Sequence, residues 1–153
     1  MIIKKDLHMI SRLRQNARIT LTEMSKATKI PISTLYDKLK GYQGNVITRH
    51  TTLIDFTRLG YHARTALLIK VGTDDRESLK EYLMKHPSIN SVFRINNGYD
   101  FFVEGIFHHL VDVEGFIANI EKRFKTERIE NHYVVEDIKK EAFLSDAYML
   151  EMI

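Results

Sequence analysis

The sequence predicts an α+β fold in which a basic unit of three short helices is followed by a β-α-β-β-α-β unit. Two patterns carry this prediction: helical spacing of apolar residues in the first third of the chain, and strand-like runs alternating with helical segments afterwards. Charge divides the chain in the same place. Residues 1–60 contain 11 Lys/Arg and 4 Asp/Glu, whereas the other residues contain 12 Lys/Arg and 16 Asp/Glu. A basic unit joined to an acidic one is typical of a polyanion-binding part attached to a part with another role.

The first sixty residues contain the signals of three helices. Asp6 is predicted to cap a first helix that ends near Asn16. Thr20 and Glu23 have the spacing of a capping box, in which each side chain satisfies a free backbone amide, and a second helix over residues 21–27 follows. Ile32, Leu35 and Leu39 then form the apolar stripe of a third helix.

The second and third helices are separated by a short break, as in a helix-turn-helix, whose second helix enters the major groove of DNA. Short hydroxyl side chains near its start can approach bases or phosphates, and lysines farther along can reach phosphates. An acidic residue there could accept a hydrogen bond from a cytosine amino group, or orient Lys38 or Lys40, and the pattern leaves both open. The candidate DNA-binding residues are Thr22, Ser33, Thr34, Tyr36, Asp37, Lys38, Lys40 and Arg49.

Residues 46–52 alternate like a strand, which predicts the small wing of a winged helix-turn-helix. The first domain is therefore predicted over residues 1–50, with a linker strand over residues 51–62. Three-helix units also serve as dimerisation or protein-binding modules, in which a basic face is merely solvated, so this alternative stays open.

After Gly60 the pattern changes to short strands separated by helices, which predicts a second domain over residues 63–153. Asn96-Asn97-Gly98 is a hairpin turn between two of the strands. The order gives a ferredoxin-like antiparallel sheet with both helices on one face. Large residues on its other face have to be buried, usually by the sheet of a second subunit. We therefore expect a homodimer, whose two-fold symmetry would match palindromic DNA. The strands are predicted over 66–71, 89–95, 101–107 and 129–135, and the helices start near Asp74 and Asp112.

The chain resembles the Lrp/AsnC (feast/famine) family of transcriptional regulators over nearly its whole length. The segments that carry the resemblance are DLHMISRLRQNARITLTEMS, IPISTLYDKLK, NVITRHTTLIDFTRLGY, NNGYDFFVEG and VEDIKK. Gly98-Tyr99-Asp100 is the most specific of these features, because family members have Gly-x-Asp in this hairpin. The resemblance implies a winged helix-turn-helix joined to an ACT-like domain, a fold used in regulation of amino-acid metabolism. It also implies dimers that assemble into octamers or larger rings.

The resemblance further implies an amino-acid effector bound between neighbouring dimers. Gly98, Tyr99 and Asp100 would then bind the effector, together with Asn131 and Tyr133, which stand on the fourth strand where the family often has threonine. A hairpin that needs a positive φ and binds no ligand would show the same residues. The chain also differs from the family at Lys29, which stands where the family usually has the glycine of the DNA-binding turn.

We therefore expect a cytoplasmic, sequence-specific DNA-binding regulator modulated by an amino acid or related molecule. The alternatives are an architectural DNA-binding protein without effector, and an enzyme resembling the tetrapyrrole decarboxylases that share this scaffold. No His–carboxylate cluster stands out at a fixed spacing, so no enzyme activity, cofactor or metal is expected; adjacent His108 and His109 would point apart on a strand end. No membrane-spanning segment is expected, and the apolar residues from Ala142 predict a helical packing element.

Overall fold

The computed structural model describes residues 4–146 and 148–152. The chain divides into two compact units, of which the first combines the chain up to Leu53 with the segment from Ile138, and the second is Ile54–Asp137. This division separates the units inside the predicted linker. It also corrects the predicted second domain of residues 63–153, because the C-terminal segment groups with the N-terminal unit.

The first unit contains three helices: α1 (Lys4–Gln15), α2 (Leu21–Thr28) and α3 (Ile32–Tyr42). The capping box is confirmed, since the Thr20 hydroxyl accepts from the Glu23 amide (3.2 Å) and the Glu23 carboxylate accepts from the Thr20 amide (2.9 Å). The prediction that Asp6 caps the first helix is wrong, because Asp6 lies inside α1 and is buried. The core of this unit is formed by Met9, Met24, Ile30 and Leu35.

The turn between α2 and α3 is made without glycine. Lys29 has a φ of 59°, the left-handed conformation that costs an L-residue about 1 kcal/mol. Two hydrogen bonds fix it there: the Lys29 amide donates to the Ser25 carbonyl (2.9 Å), and the Ser25 hydroxyl donates to the Ile30 carbonyl (2.6 Å). The turn therefore keeps the helix-turn-helix geometry despite the unusual residue.

The predicted wing strand over residues 46–52 is not formed. In the part of the chain that the structure describes, this region has one isolated bridge, between Gln43 and Ile47, followed by irregular backbone. A strand needs a neighbouring strand to bond its amides and carbonyls. Residues 48–52 are exposed, and among the described residues of their unit there is no strand whose ladder their alternating pattern could join.

The second unit is a four-stranded antiparallel sheet covered by two helices. Its strands are β1 (Ala63–Val71), β2 (Ile89–Arg94), β3 (Phe101–Phe107) and β4 (Thr126–Tyr133), and its helices are α4 (Arg76–Lys85) and α5 (Leu110–Arg123). The spatial order β2-β3-β1-β4 confirms the predicted ferredoxin-like arrangement.

The core of the second unit lies on one face of this sheet. Alternate residues of β1 are buried, and they pack with buried residues of both helices. On the opposite face, Leu68, Phe102 and Phe93 are aligned across β1, β3 and β2, and the Phe93 side chain is 53% exposed. The fourth strand ends at Tyr133, so Val135, predicted to belong to it, lies beyond it and is exposed.

The C-terminal segment is not the continuous helix that its apolar spacing predicts. Glu141 and Leu144 have φ values of 50° and 58°, which an α-helix cannot accommodate, and the described part ends in a 3-10 turn, Met149–Met152. The Arg14 guanidinium of α1 donates to the carbonyls of Glu141 (2.9 Å) and Phe143 (3.1 Å), and Leu150 is buried. Ala147 and Ile153, which also belonged to the predicted stripe, lie outside the described residues. Among those that are described, no helix is long and apolar enough to cross a membrane.

Candidate DNA interface and effector hairpin

The outer face of α3 carries polar side chains that are open to solvent. Each residue turns a helix by 100°, so positions 33, 36, 37 and 40 fall on the side away from buried Leu35. Ser33, Thr34, Tyr36, Asp37 and Lys40 are all exposed there, as are Thr22 on α2 and Arg49 after α3. Seven of the eight candidate DNA-binding residues are therefore accessible to a partner.

The N-terminus of α3 is suited to an anion. Its N-cap residue is Pro31, which makes no side-chain cap bond, and the first turn contains no acidic residue. Free amides and the positive end of the helix dipole together attract phosphate. The hydroxyls of Ser33 and Thr34 stand in the same turn, so neutral donors accompany the amides.

Lys38 is the exception, because its ammonium group already has a partner within the protein, and its predicted phosphate contact stays a prediction. Its Nζ lies 2.6 Å from Oδ1 of Asp6, and the Tyr42 hydroxyl donates to Oδ2 of the same carboxylate (2.8 Å). The hydrogen bond to Asp6 raises the pKa of Lys38 and also the pKa of Tyr42. This contact is not apparent from the sequence, because Asp6 has the position of a helix cap. The spacing of Lys38 and Tyr42, one helical turn apart, was the available signal.

The effector hairpin connects β2 and β3. Asn97 and Gly98 have φ values of 62° and 93°, and a Cβ on Gly98 would meet no atom within 4 Å. The Tyr99 ring lies under the Arg128 guanidinium (5.5 Å to the ring centre), and its hydrogen bond with Glu130 raises the pKa of Tyr99. Gly98 and Tyr99 are thus at the surface of the hairpin.

Asp100, by contrast, is buried and fully engaged. Its carboxylate lies 2.9 Å from the Arg76 guanidinium, 3.4 Å from Lys70 Nζ and 3.4 Å from the Arg94 guanidinium, and it accepts from the Val71 amide (3.1 Å). Burial alone would raise the pKa of Asp100, but the Val71 amide and the cations hold it below the usual value. Asp100 therefore fastens the hairpin to β1 and α4. The three cations were not found from the sequence, since they lie on three different elements.

Asn131 and Tyr133 stand apart from the hairpin within one chain. They lie on β4, and β1 separates that strand from β3. The Thr65 hydroxyl donates to the Asn131 side-chain carbonyl, and the Tyr133 hydroxyl donates to Glu114 of α5 (3.0 Å). Within the described residues no hydrogen bond joins Asn131 or Tyr133 to the hairpin, although the Tyr99 side chain reaches Glu130, the β4 residue next to Asn131.

A cleft of about 470 Å³ lies beside the hairpin, between α4 and β2. Its volume is in the range of small-molecule sites. The cleft has an apolar lining with cationic groups from Lys80 and Arg94, and the Arg94 guanidinium lies 5.5 Å from the centre of the Phe101 ring. The apolar lining residues are Leu83, Met84, Ile89, Val92 and Phe101.

His108, one of the two adjacent histidines, is engaged by neighbouring groups. The His108 ring stacks on Tyr61 (4.1 Å between ring centres), and its Nδ1 lies 2.9 Å from the Gly60 carbonyl. No group of three or more His, Asp or Glu side chains in the described ranges is placed to hold a metal ion.

Comparison with known proteins relates the chain to regulators. No family model matches it. The chain is 27% identical to the HTH-type transcriptional regulator FL11 of Pyrococcus furiosus over 76% of this chain and 82% of that protein. It is 23% identical to the HTH-type transcriptional regulator LrpC of Bacillus subtilis over 73% of this chain and 78% of that protein.

Solved structures share the fold. The transcriptional regulator NMB0573 of Neisseria meningitidis, solved as a complex with L-Met, superposes with a TM-score of 0.84 at 17% identity, over 92% of this chain and 94% of that one. AsnC of E. coli superposes with a TM-score of 0.80 at 17% identity, over 92% of this chain and 96% of that one. The two-unit arrangement of secondary structure is therefore that of known regulators.

Proposed function

Because the chain is a homologue of helix-turn-helix transcriptional regulators and has the fold of the Lrp/AsnC family, we propose that it is a sequence-specific DNA-binding regulator. The observation that carries this proposal is the uncapped N-terminus of α3 beside an exposed polar face, in the basic part of the chain. Ser33, Thr34 and Tyr36 are proposed to contact bases or nearby phosphates, and Lys40, Arg49 and Thr22 to contact the backbone. Asp37 is exposed and is proposed to accept from a cytosine amino group.

Salt dependence tests this proposal. Each phosphate that the protein neutralises releases counterions and contributes about 0.9 to the slope of log K against log salt. Lys40→Ala and Arg49→Ala are therefore each expected to reduce the slope for duplex DNA by about 0.9, measured by fluorescence anisotropy. Lys85→Ala is the matched control, because Lys85 is an exposed lysine on α4 in the other unit. Binding that does not depend on salt would contradict the proposal, as would equal slopes for all three variants.

We also propose that an amino acid or related carboxylate modulates the DNA binding. The related structure with L-Met supports this class of ligand, and the cleft beside the hairpin offers it complementary groups. Lys80 and Glu77, which pair with each other at 2.9 Å, and Arg94, which lies 3.4 Å from Asp100, are the charged groups that the carboxylate and the ammonium group of an amino acid are proposed to meet. The apolar lining suits an aliphatic side chain. Gly98 and Tyr99 stand on the adjoining hairpin, and Asn131 and Tyr133 are proposed to contribute from a neighbouring copy.

Thermal denaturation with each of the twenty amino acids tests the effector. A ligand present at 100 times its Kd stabilises the folded state by about 2.7 kcal/mol, so at least one amino acid is expected to raise the melting temperature. Arg94→Ala is expected to remove that shift, whereas Lys85→Ala should retain it. If no amino acid shifts the wild-type transition, the architectural alternative without effector is favoured.

The uncovered face of the sheet supports a homodimer. Phe93, Phe102 and Leu68 form an apolar row on the face opposite the helices, and the rings of Phe93 and Phe102 are 5.9 Å apart. A second sheet would bury this row and give the two DNA-binding units two-fold symmetry. We propose that such dimers assemble further into octamers or larger rings, and that the protein acts in the cytoplasm. The relatives are regulators, and we propose that this chain has no enzyme activity.

A further inference from the structure

The carboxylate of Asp6, which has no role in the proposed function, forms a polar contact with α3. The Asp6 side chain is on α1 and is only 2% exposed. A charge that is buried to this extent is costly unless it is paired. One carboxylate oxygen accepts from Lys38 (2.6 Å) and the other from Tyr42 (2.8 Å). Each oxygen of this carboxylate therefore accepts a hydrogen bond from a side chain of α3.

The two donors occupy successive turns of one side of α3. Lys38 and Tyr42 are four residues apart, so their side chains lie above one another on the helix surface. They continue the side of α3 that carries fully buried Leu35, three and seven residues farther along the helix, whereas Ser33 and Lys40 lie on the other side. The contact with Asp6 thus holds the inner side of α3, and the proposed DNA-binding side chains project from the outer side.

The apolar contacts in this unit set which side of α3 is buried, and the polar contact with Asp6 adds a directional restraint on the rotation of the helix. The backbones of α1 and α3 both approach α2 closely, and α1 meets α3 mainly through side chains. The apolar contacts that Met9 of α1 and Leu39 of α3 make in this core are non-directional. A hydrogen-bonded ion pair is directional, and a pair of bonds one turn apart restrains rotation about the helix axis.

We propose that Asp6 is a positioning residue for DNA recognition: by bonding Lys38 and Tyr42 it sets the rotation of α3 and hence the direction of Ser33 and Lys40. This inference rests on the proposed function and deepens it. A helix with its side chains has a radius of about 5–6 Å, so a rotation of about 20° moves the side-chain tips by about 2 Å. Base contacts need a placement within about 0.5 Å, so a small rotation is enough to lose them.

The test uses two DNA probes: a short duplex enriched by the wild-type protein from a randomised pool, and the unselected pool. Asp6→Asn keeps the size of the side chain and removes its charge. Charge alone predicts that this variant binds both probes more tightly, since a negative charge leaves a DNA-binding unit. Loss of positioning instead predicts that the ratio of the two affinities falls about tenfold, the effect of losing one base contact, while affinity for the unselected pool does not fall.

Three further variants complete the test, all measured at a temperature where circular dichroism shows each of them folded. Tyr42→Phe removes one hydrogen bond without changing the shape of the side chain, and it is expected to lower the affinity ratio as well. It takes the place of Asp6→Asn if that variant does not fold. Lys38→Met is expected to leave the salt slope at the wild-type value, whereas Lys40→Met, an exposed neighbour on the same helix, reduces it by about 0.9.

An unchanged or raised affinity ratio for folded Asp6→Asn, or for Tyr42→Phe in its place, overturns the inference. A Lys38→Met slope that falls as far as that of Lys40→Met overturns it too, because Lys38 would then be contacting phosphate. These results leave the proposed function standing. Wild-type protein that enriches no duplex, or binds without salt dependence, refutes the proposed function itself.

Discussion

Replacing Asp100 with alanine is expected to lower the free energy of unfolding of the second unit by about 3 kcal/mol. The side chain is 3% exposed, and it is the common partner of Lys70, Arg76 and Arg94. Without the carboxylate, three cations repel one another around a buried position, and the Val71 amide loses its acceptor. Urea denaturation followed by circular dichroism measures the loss, and hydrogen exchange at Val71 shows whether it is centred on β1.

Two variants give this prediction its controls. Asp100→Asn keeps an acceptor for the Val71 amide and should be less destabilising than the alanine variant. Glu81→Gln removes an exposed carboxylate that pairs with Lys85 at 3.5 Å, and it is expected to change stability by less than about 1 kcal/mol. An alanine variant as stable as the wild type would show that the cations do not depend on Asp100.

The same carboxylate gives the wild type an acid-sensitive component of stability. The pKa of Asp100 in the folded protein is below its ordinary value, so the folded state favours the ionised form. Its stabilising contribution is complete above the unfolded pKa of about 3.9 and is lost as the pH falls through the folded pKa. The difference in stability between wild type and Asp100→Asn should therefore shrink below about pH 4.

A glutamate at position 33 is expected to weaken DNA binding about 100-fold while stabilising the protein slightly. Ser33 is exposed in the first turn of α3, where a negative charge interacts favourably with the helix dipole by about 0.3–1 kcal/mol. The same charge would face the proposed phosphate position, where repulsion between close charges amounts to about 3 kcal/mol at an intermediate dielectric constant. Affinity and thermal stability should therefore change in opposite directions.

Anisotropy titrations and thermal denaturation of the same samples check this result. Ser33→Gln provides a neutral side chain of similar length and should lose much less affinity. Ser78→Glu places the same charge in the first turn of α4, in the other unit, and should leave DNA affinity within about twofold. Equal losses for Ser33→Glu and Ser78→Glu would mean that net charge matters and the position on α3 does not.

Local signals in the sequence were sufficient for helices α1 to α5, the capping box at Thr20 and Glu23, the hairpin at Gly98 and the β-α-β-β-α-β order. These features depend on hydrogen bonds and apolar periodicity within about ten residues of chain, so a short window contains the whole cause. The outer face of α3 was predictable for the same reason, because the stripe that contains Leu35 defines the face opposite to it.

The tertiary structure decided what depends on which distant faces meet. Lys38 has the same local surroundings as an ordinary surface lysine, and only the arrival of Asp6 from α1 turns it inward. Asp100 has the sequence position of an effector ligand, but cations from β1, α4 and β2 take up its charge. The strand-like residues after α3 have no neighbouring strand in the described part of their unit. By itself the sequence determined the fold class and the exposed polar face of α3 that we propose binds DNA. The pairing of buried charges was decided by packing, because the free energy of a buried charge depends on partners far away in the chain.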